Sequence, residues 1–153
     1  MKTPIAMQYP RELSLAVTVS AEIPMTDLGD VAAIGSALTR AMRRKEMAPA
    51  GPLIQHTAVT IDGTRNFVMR QTRAEEPREV PGYVTSAAHA LAHCVLARFE
   101  GDASELGIVY SAIAVYAYEH EIDLTGEFHL VFVEQVDLEV TVDVFASTAE
   151  THA

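Results

Sequence analysis

The sequence has a single cysteine, no tryptophan and few cations. Cys94 has no partner for an internal disulfide, which excludes a small secreted scaffold stapled by disulfides. Against 21 acidic residues stand 11 lysines and arginines, a net charge of −10. A nucleic-acid-binding face needs clustered cations, so direct contact with nucleic acid is not expected. The acidic balance favours cationic partners at long range. Apolar runs are broken by His, Arg, Glu or Tyr well short of the ~18 residues that a membrane helix needs, so no membrane association is expected. The start, Met1-Lys2-Thr3-Pro4, leads into no apolar segment of the signal-peptide kind, and a cytoplasmic location is the expectation. The phosphate-cradling patterns G-x-G-x-x-G and G-x-x-x-x-G-K-[ST] are absent, as is the serine-hydrolase elbow. What remains is a globular composition, 153 residues with 49% hydrophobic, of a length that fits one domain.

The apolar pattern predicts the elements. Leu13, Leu15, Val17 and Val19 alternate with Ser14, Ala16, Thr18 and Ser20, a period-two strand over Glu12–Ile23. Pro24 ends it and Thr26 is a candidate N-cap. Leu28, Val31, Ile34, Leu38 and Met42 recur in steps of three and four, which predicts an amphipathic helix over Asp27–Met47. Arg43, Arg44 and Lys45 close that helix, where cations suit its negative end. Strands over Leu53–Ile61 and Asn66–Thr72 flank the turn signal Asp62-Gly63. Ala74–Pro81, charged and carrying two prolines, reads as an exposed linker.

The second half repeats the order. Leu91–Phe99 alternates as a strand, although the alanine-rich TSAAHALA before it also suits a helix. Gly101-Asp102 reads as a turn and Ser104 as a cap. A helix follows over Glu105–Glu121, with Leu106, Val109, Tyr110, Ile113, Tyr116 and Ala117 on one stripe. Thr125-Gly126 closes it. Strands over Phe128–Glu134 and Leu138–Phe145 come next, and Thr148–Ala153 reads as a loose tail. The opening motifs Asp27-Leu28-Gly29 and Glu105-Leu106-Gly107 match, as do the closing glycines Gly51 and Gly126. The economical reading is one α+β domain over residues 1–153, built from two pseudo-repeats at about 12–73 and 83–146. Each repeat is a β-α-β-β unit. Together they would form one antiparallel sheet, with both helices on one face and a central cleft along the pseudo-two-fold axis.

The chain resembles the GyrI-like small-molecule-binding domain, also called the AraC-type effector-binding domain, over roughly Glu12–Ala146. The resemblance rests on the first helix followed by Gly51-Pro52-Leu53-Ile54-Gln55-His56. It continues through Glu105-Leu106-Gly107, Tyr110, Ile113, Tyr116, Ile122, Gly126, Phe132 and the closing strand Glu139–Ala146. It implies a cleft that takes amphipathic, often cationic, aromatic compounds. Many relatives carry a DNA-binding helix-turn-helix module in the same chain. No residues are left over for one here, so the resemblance implies a stand-alone member, which would sequester or sense its ligand. The alternatives that it implies are a hydrolase of reactive cyclopropane-type natural products and a gyrase-directed modulator acting by protein interaction. One position departs from the pattern. The glutamate that the family places four residues after the second glycine is Leu130 here. On an unbroken strand Glu134 shares a face with Leu130 and Phe132, so Glu134 is the expected replacement.

The expected ligand-binding set is therefore His56, Phe67, Met69, Tyr110, Tyr116, Leu130, Phe132 and Glu134. The tyrosines can stack on flat ligands and attract cations through their ring faces, while Met69 and Phe67 can form an adaptable apolar wall. Packing onto the sheet competes with these roles at every position. His89 and His93 lie four apart beside Cys94, but no convincing third and fourth ligand accompanies them, so no metal site is expected. No cofactor and no catalytic residue is assigned, and Cys94 reads as a small core residue.

Overall fold

A computed structural model describes residues 5–24 and 31–151. Its strands are β1 (Ala6–Leu15), β2 (Thr18–Ile23), β3 (Pro49–Thr60), β4 (Gly63–Thr72), β5 (Val84–Ser86), β6 (His89–Asp102), β7 (Leu124–Val136) and β8 (Glu139–Thr148). Its helices are α1 (Val31–Arg44) and α2 (Ile108–Glu119). The expected cap at Thr26 and the start of the expected helix, from Asp27 to Asp30, lie outside the described residues. The chain forms two compact units, one from Ser14–Ala90 and the other from Met1–Leu13 with Leu91–Ala153. They are called here the α1 unit and the α2 unit.

The fold is α+β, and the β-α-β-β order occurs twice, as β2-α1-β3-β4 and β6-α2-β7-β8. In the α1 unit the strands lie in the order β3-β4-β2-β5, and in the α2 unit β1-β6-β8-β7. The pairs β2/β4, β2/β5, β3/β4, β6/β8 and β7/β8 are antiparallel. Each unit thus takes one strand, β5 or β1, that precedes the other repeat in sequence.

Each helix covers one face of its sheet. Leu38 and Met42 of α1 are fully buried among Val17, Val19, Ile23 and Val68. Val109 and Ile113 of α2 are fully buried against Val95, Ala97, Leu130, Val142 and Val144. Ile34, Leu38 and Met42 of the first stripe and the whole of the second pack as the sequence suggests; Leu28 and the Val31 side chain lie outside the described part of the structure.

The boundaries differ from expectation in instructive ways. The strand expected over Glu12–Ile23 breaks at Ala16-Val17, and Ala16 N–H instead donates to Gln71 Oε1 at 2.9 Å. Leu13, Leu15, Val17 and Val19 are all buried, so alternation persisted through the break because it reports burial rather than pairing. The expected turn at Gly101-Asp102 is strand, and the cap belongs to Asp102, whose carboxylate accepts from Ser104 N–H at 2.8 Å. The linker is tied down by Val80, which is buried in the α1 core. The tail is no loose end through Thr151. Thr148 N–H donates to Thr151 Oγ1 at 2.9 Å, and Thr148 Oγ1 donates to the His93 carbonyl at 2.8 Å.

Gly51 and Gly126 do not stop helices. They lie in β3 and β7 at φ +77° and +92°, where the pairing slips between Ala50 and Ile54 and between Leu124 and Phe128. Glycine adopts that backbone without a Cβ penalty, and the slip is a β-bulge.

Ile113→Ala is expected to cost about 2–5 kcal/mol in urea unfolding, because it empties a fully buried position. Val115→Ala, on the exposed side of α2, is expected to stay within about 0.5 kcal/mol.

Candidate functional site

The α2 unit gathers aromatic side chains on its helix side. The rings of Tyr110 on α2 and Phe128 on β7 meet edge to face, with centroids 5.0 Å apart and planes at 87°. Tyr116, further along the same helix, stacks on His120 at 4.1 Å and 25°. Tyr9, Tyr110, Tyr116, Phe128 and Phe132 are partly buried against one core. Such a wall can hold a flat organic group by stacking and apolar burial. Tyr9 was not expected here, because Pro10 and the charged Arg11-Glu12 obscured its strand. Burial first, then the Glu150 carboxylate and Tyr116, raise the Tyr9 phenol above its ordinary pKa.

Leu130 faces α2 but is 2% exposed and belongs to the core. Phe132 pairs with the fully buried Val142, so it also faces α2. Glu134 does not. It pairs with Thr141, the next residue along β8, because Val133 forms a second bulge in β7. Neighbouring residues of a strand point to opposite faces, so this one extra residue carries Glu134 to the side away from α2. The expectation that Glu134 replaces the missing glutamate is corrected accordingly. Glu134 instead lines a hollow of about 350 Å3 with Glu100, Glu139 and Thr141.

In the α1 unit the expected residues lie on the side away from the helix. Val68 faces α1, so its neighbours Phe67 and Met69 face away. His56 is the cross-strand partner of Phe67 and stacks on it at 5.5 Å. Arg65 lies over the other part of this row, 5.1 Å from the Phe67 centroid, and binds Glu22 through two hydrogen bonds of 2.9 and 2.7 Å. Met69 is buried. The polar groups on the α1 side went unnoticed in the sequence. Thr57 Oγ1 donates to Asn66 Oδ1 at 2.8 Å, and Gln55 reaches the same oxygen at 3.4 Å. Thr57 and Asn66 are buried, and only the β3/β4 register brings them together.

No protein-family model matches the sequence, and no curated protein matches it significantly. Solved structures do match. The EcmrR C-terminal domain superposes with a TM-score of 0.67 at 9% identity, covering 95% of this chain and 98% of that one. SAV2435 bound to tetraphenylphosphonium superposes with a TM-score of 0.54 at 8% identity, covering 97% and 95%. A hydrolase encoded by lin2189 from Listeria innocua gives 0.59 at 8% identity, covering 92% and 91%. The chain has a GyrI-like fold. The resemblance read from the sequence is thus met in the architecture.

Within this GyrI-like fold the cysteine is poorly placed for nucleophilic chemistry. Burial pushes the Cys94 thiol above its ordinary pKa, and its Sγ lies 3.5 Å from the Leu91 carbonyl. The thiolate is the reactive form. Among the described residues no group of three or more His, Cys, Asp or Glu could hold a metal ion. No helix there is long and apolar enough to cross a membrane.

Cys94 is expected to resist a thiol reagent in native buffer and to react stoichiometrically only after unfolding. A second expectation concerns acid. The Arg65 hydrogen bonds hold the Glu22 carboxyl below its usual pKa. A folded-state pKa below the unfolded one contributes stability above the unfolded value, and that contribution is lost as pH falls through the folded value. Glu22→Gln should therefore flatten the acid side of the stability profile and leave the dependence above neutral pH unchanged, as read by thermal melts across pH.

Proposed function

We propose that this protein binds a small amphipathic aromatic molecule and serves to sequester or sense it. The observation that carries the reading is the half-buried aromatic wall of the α2 unit, above all the Tyr110–Phe128 pair with Tyr116 and Phe132 beside it. Two partly buried rings set edge to face leave stacking surface for a third. The fold supports the reading, since SAV2435 shares it and holds tetraphenylphosphonium. The net charge of −10 favours cationic members of the ligand class at long range. Leu130 forms part of the floor beneath this wall. His56, Phe67 and Met69 face away from α1 and are left out of the contact set.

Binding is favoured over hydrolysis, although a hydrolase shares the fold. General acid or base catalysis needs an ionisable group aimed at the reacting atom. The helix-facing row of β7 is Phe128, Leu130 and Phe132, and Glu134 has left it.

Titration with tetraphenylphosphonium, followed by tyrosine fluorescence or calorimetry, tests the proposal. Saturable binding is expected. Tyr110→Ala and Tyr116→Ala should each weaken it about three- to tenfold, the scale of one lost aromatic contact. Absence of saturable binding to phosphonium and to uncharged triaryl compounds alike would end this reading.

A further inference from the structure

Two strand arginines are exposed and paired. Arg65 holds Glu22 at 2.9 and 2.7 Å, and Arg98 holds Asp143 at 2.7 and 2.9 Å. Arg70 of β4 is half-buried and has no such clamp. Among the described residues no acidic side chain forms an ion pair with it, and its Nε is buried without a hydrogen bond. We propose that Arg70 anchors a site in the α1 unit for the carboxylate of an organic acid. The inference goes beyond the binding function proposed above and does not depend on it.

The register explains why no protein carboxylate meets this arginine. Arg70 pairs with Val19 of β2 and follows Val68 by two residues, and both valines are fully buried in the α1 core. Arg70 therefore stands on the α1 side of the sheet. On its other flank the pairing of β3 jumps from Ala50 opposite Gln71 to Ile54 opposite Met69, so the bulge at 51–53 lies across from Arg70. Leu53 in that bulge packs on the same core. Apolar groups thus enclose the arginine stem, while the terminal nitrogens of the half-buried side chain reach solvent.

A partly buried charge without a counter-ion is costly. An incoming carboxylate offsets that cost by accepting two parallel N–H bonds from the guanidinium fork. Low-dielectric surroundings strengthen the attraction over its value in water. Gln55 pairs with Val68 and so lies diagonally across from Arg70 on the α1 side, within reach of a long side chain. Its amide contacts Thr57 and Asn66 at 3.4 Å each. Bonds of that length are weak, and exchanging one for a bond to the same carboxylate costs little. The partly buried Leu53 favours an acid with an apolar body over a bare inorganic anion.

The test compares benzoate with uncharged benzamide on the full chain by calorimetry. Benzoate should bind saturably and about tenfold more tightly than benzamide, the scale of one charge-assisted hydrogen bond. Arg70→Gln should remove that difference. Arg70→Lys, which keeps the charge and loses the fork, should recover only part of it. Gln55→Ala should weaken benzoate about two- to fivefold. Arg78→Gln, which removes an exposed cation elsewhere, should leave the benzoate-to-benzamide ratio as it was. Arg70 makes no bond within the protein that Gln would break, so the variant should fold, and an unchanged melting curve checks this. Absence of saturable benzoate binding, an unchanged ratio in Arg70→Gln, or an equal effect of Arg78→Gln would overturn the site. Inorganic phosphate competing as strongly as benzoate would overturn its assignment to carboxylates. Phosphonium binding without benzoate binding would leave the function proposed above standing and this inference refuted.

Discussion

The chemistry of the α2 unit depends on the burial of one face of β6, β8 and β7 beneath α2. Val109 and Ile113 meet Val95, Val142 and Val144 there with almost no exposed surface. That contact determines which alternate residues of each strand turn inward. β7 follows the rule through Phe128, Leu130 and Phe132. Val133 then inserts one unpaired residue, and the residues beyond it change sides. A carboxylate two positions along a strand is thus removed from the aromatic wall by the backbone, with no change in the strand's polarity.

The internal repeat is strongest in the backbone. Gly51 and Gly126 occupy bulges in the first strand after each helix, both at positive φ. The side chains that follow differ in character. Next to α1 they are Gln55 and Thr57, hydrogen-bonded with Asn66. Next to α2 they are Phe128, Leu130 and Phe132. The same architecture therefore presents amides and hydroxyls in one unit and aromatic rings in the other. Positive φ constrains residue type at the glycines because an L side chain clashes there. Nothing comparable constrains the strand side chains, which are free to serve each unit's own interior.

Much of the fold was legible. The steps of three and four in α1 and α2 and the alternation in β8 come from one-sided burial, and both sheets bury those faces. The misses have physical causes. β6 is buried on both faces along Cys94–Ala97, so the period that separates strand from helix is lost. β1 contains Pro10, which an edge strand tolerates but a reading of the sequence takes as a break. The end of the chain looked like a tail because Ser147, Thr148 and Thr151 are small and polar, yet all three are buried. Of the expected site residues, Tyr110, Tyr116, Leu130 and Phe132 lie on the helix side of the α2 unit, whereas His56, Phe67 and Met69 turn away from α1 and Glu134 from α2; strand register, which local spacing does not set, decides these sides.

By itself the sequence determined the element types, the helix stripes and the doubled order, because each follows from local spacing of apolar residues. It also determined the chain's acidity and the absence of a usable thiol pair. Tertiary structure alone decided which face of each strand meets a helix, where β7 slips its register, and on which side of the sheet Glu134 lies. Those outcomes depend on hydrogen bonds between residues far apart in the chain. Thr148 reaching His93 across 55 residues is such a case, and no window of neighbouring residues encodes it.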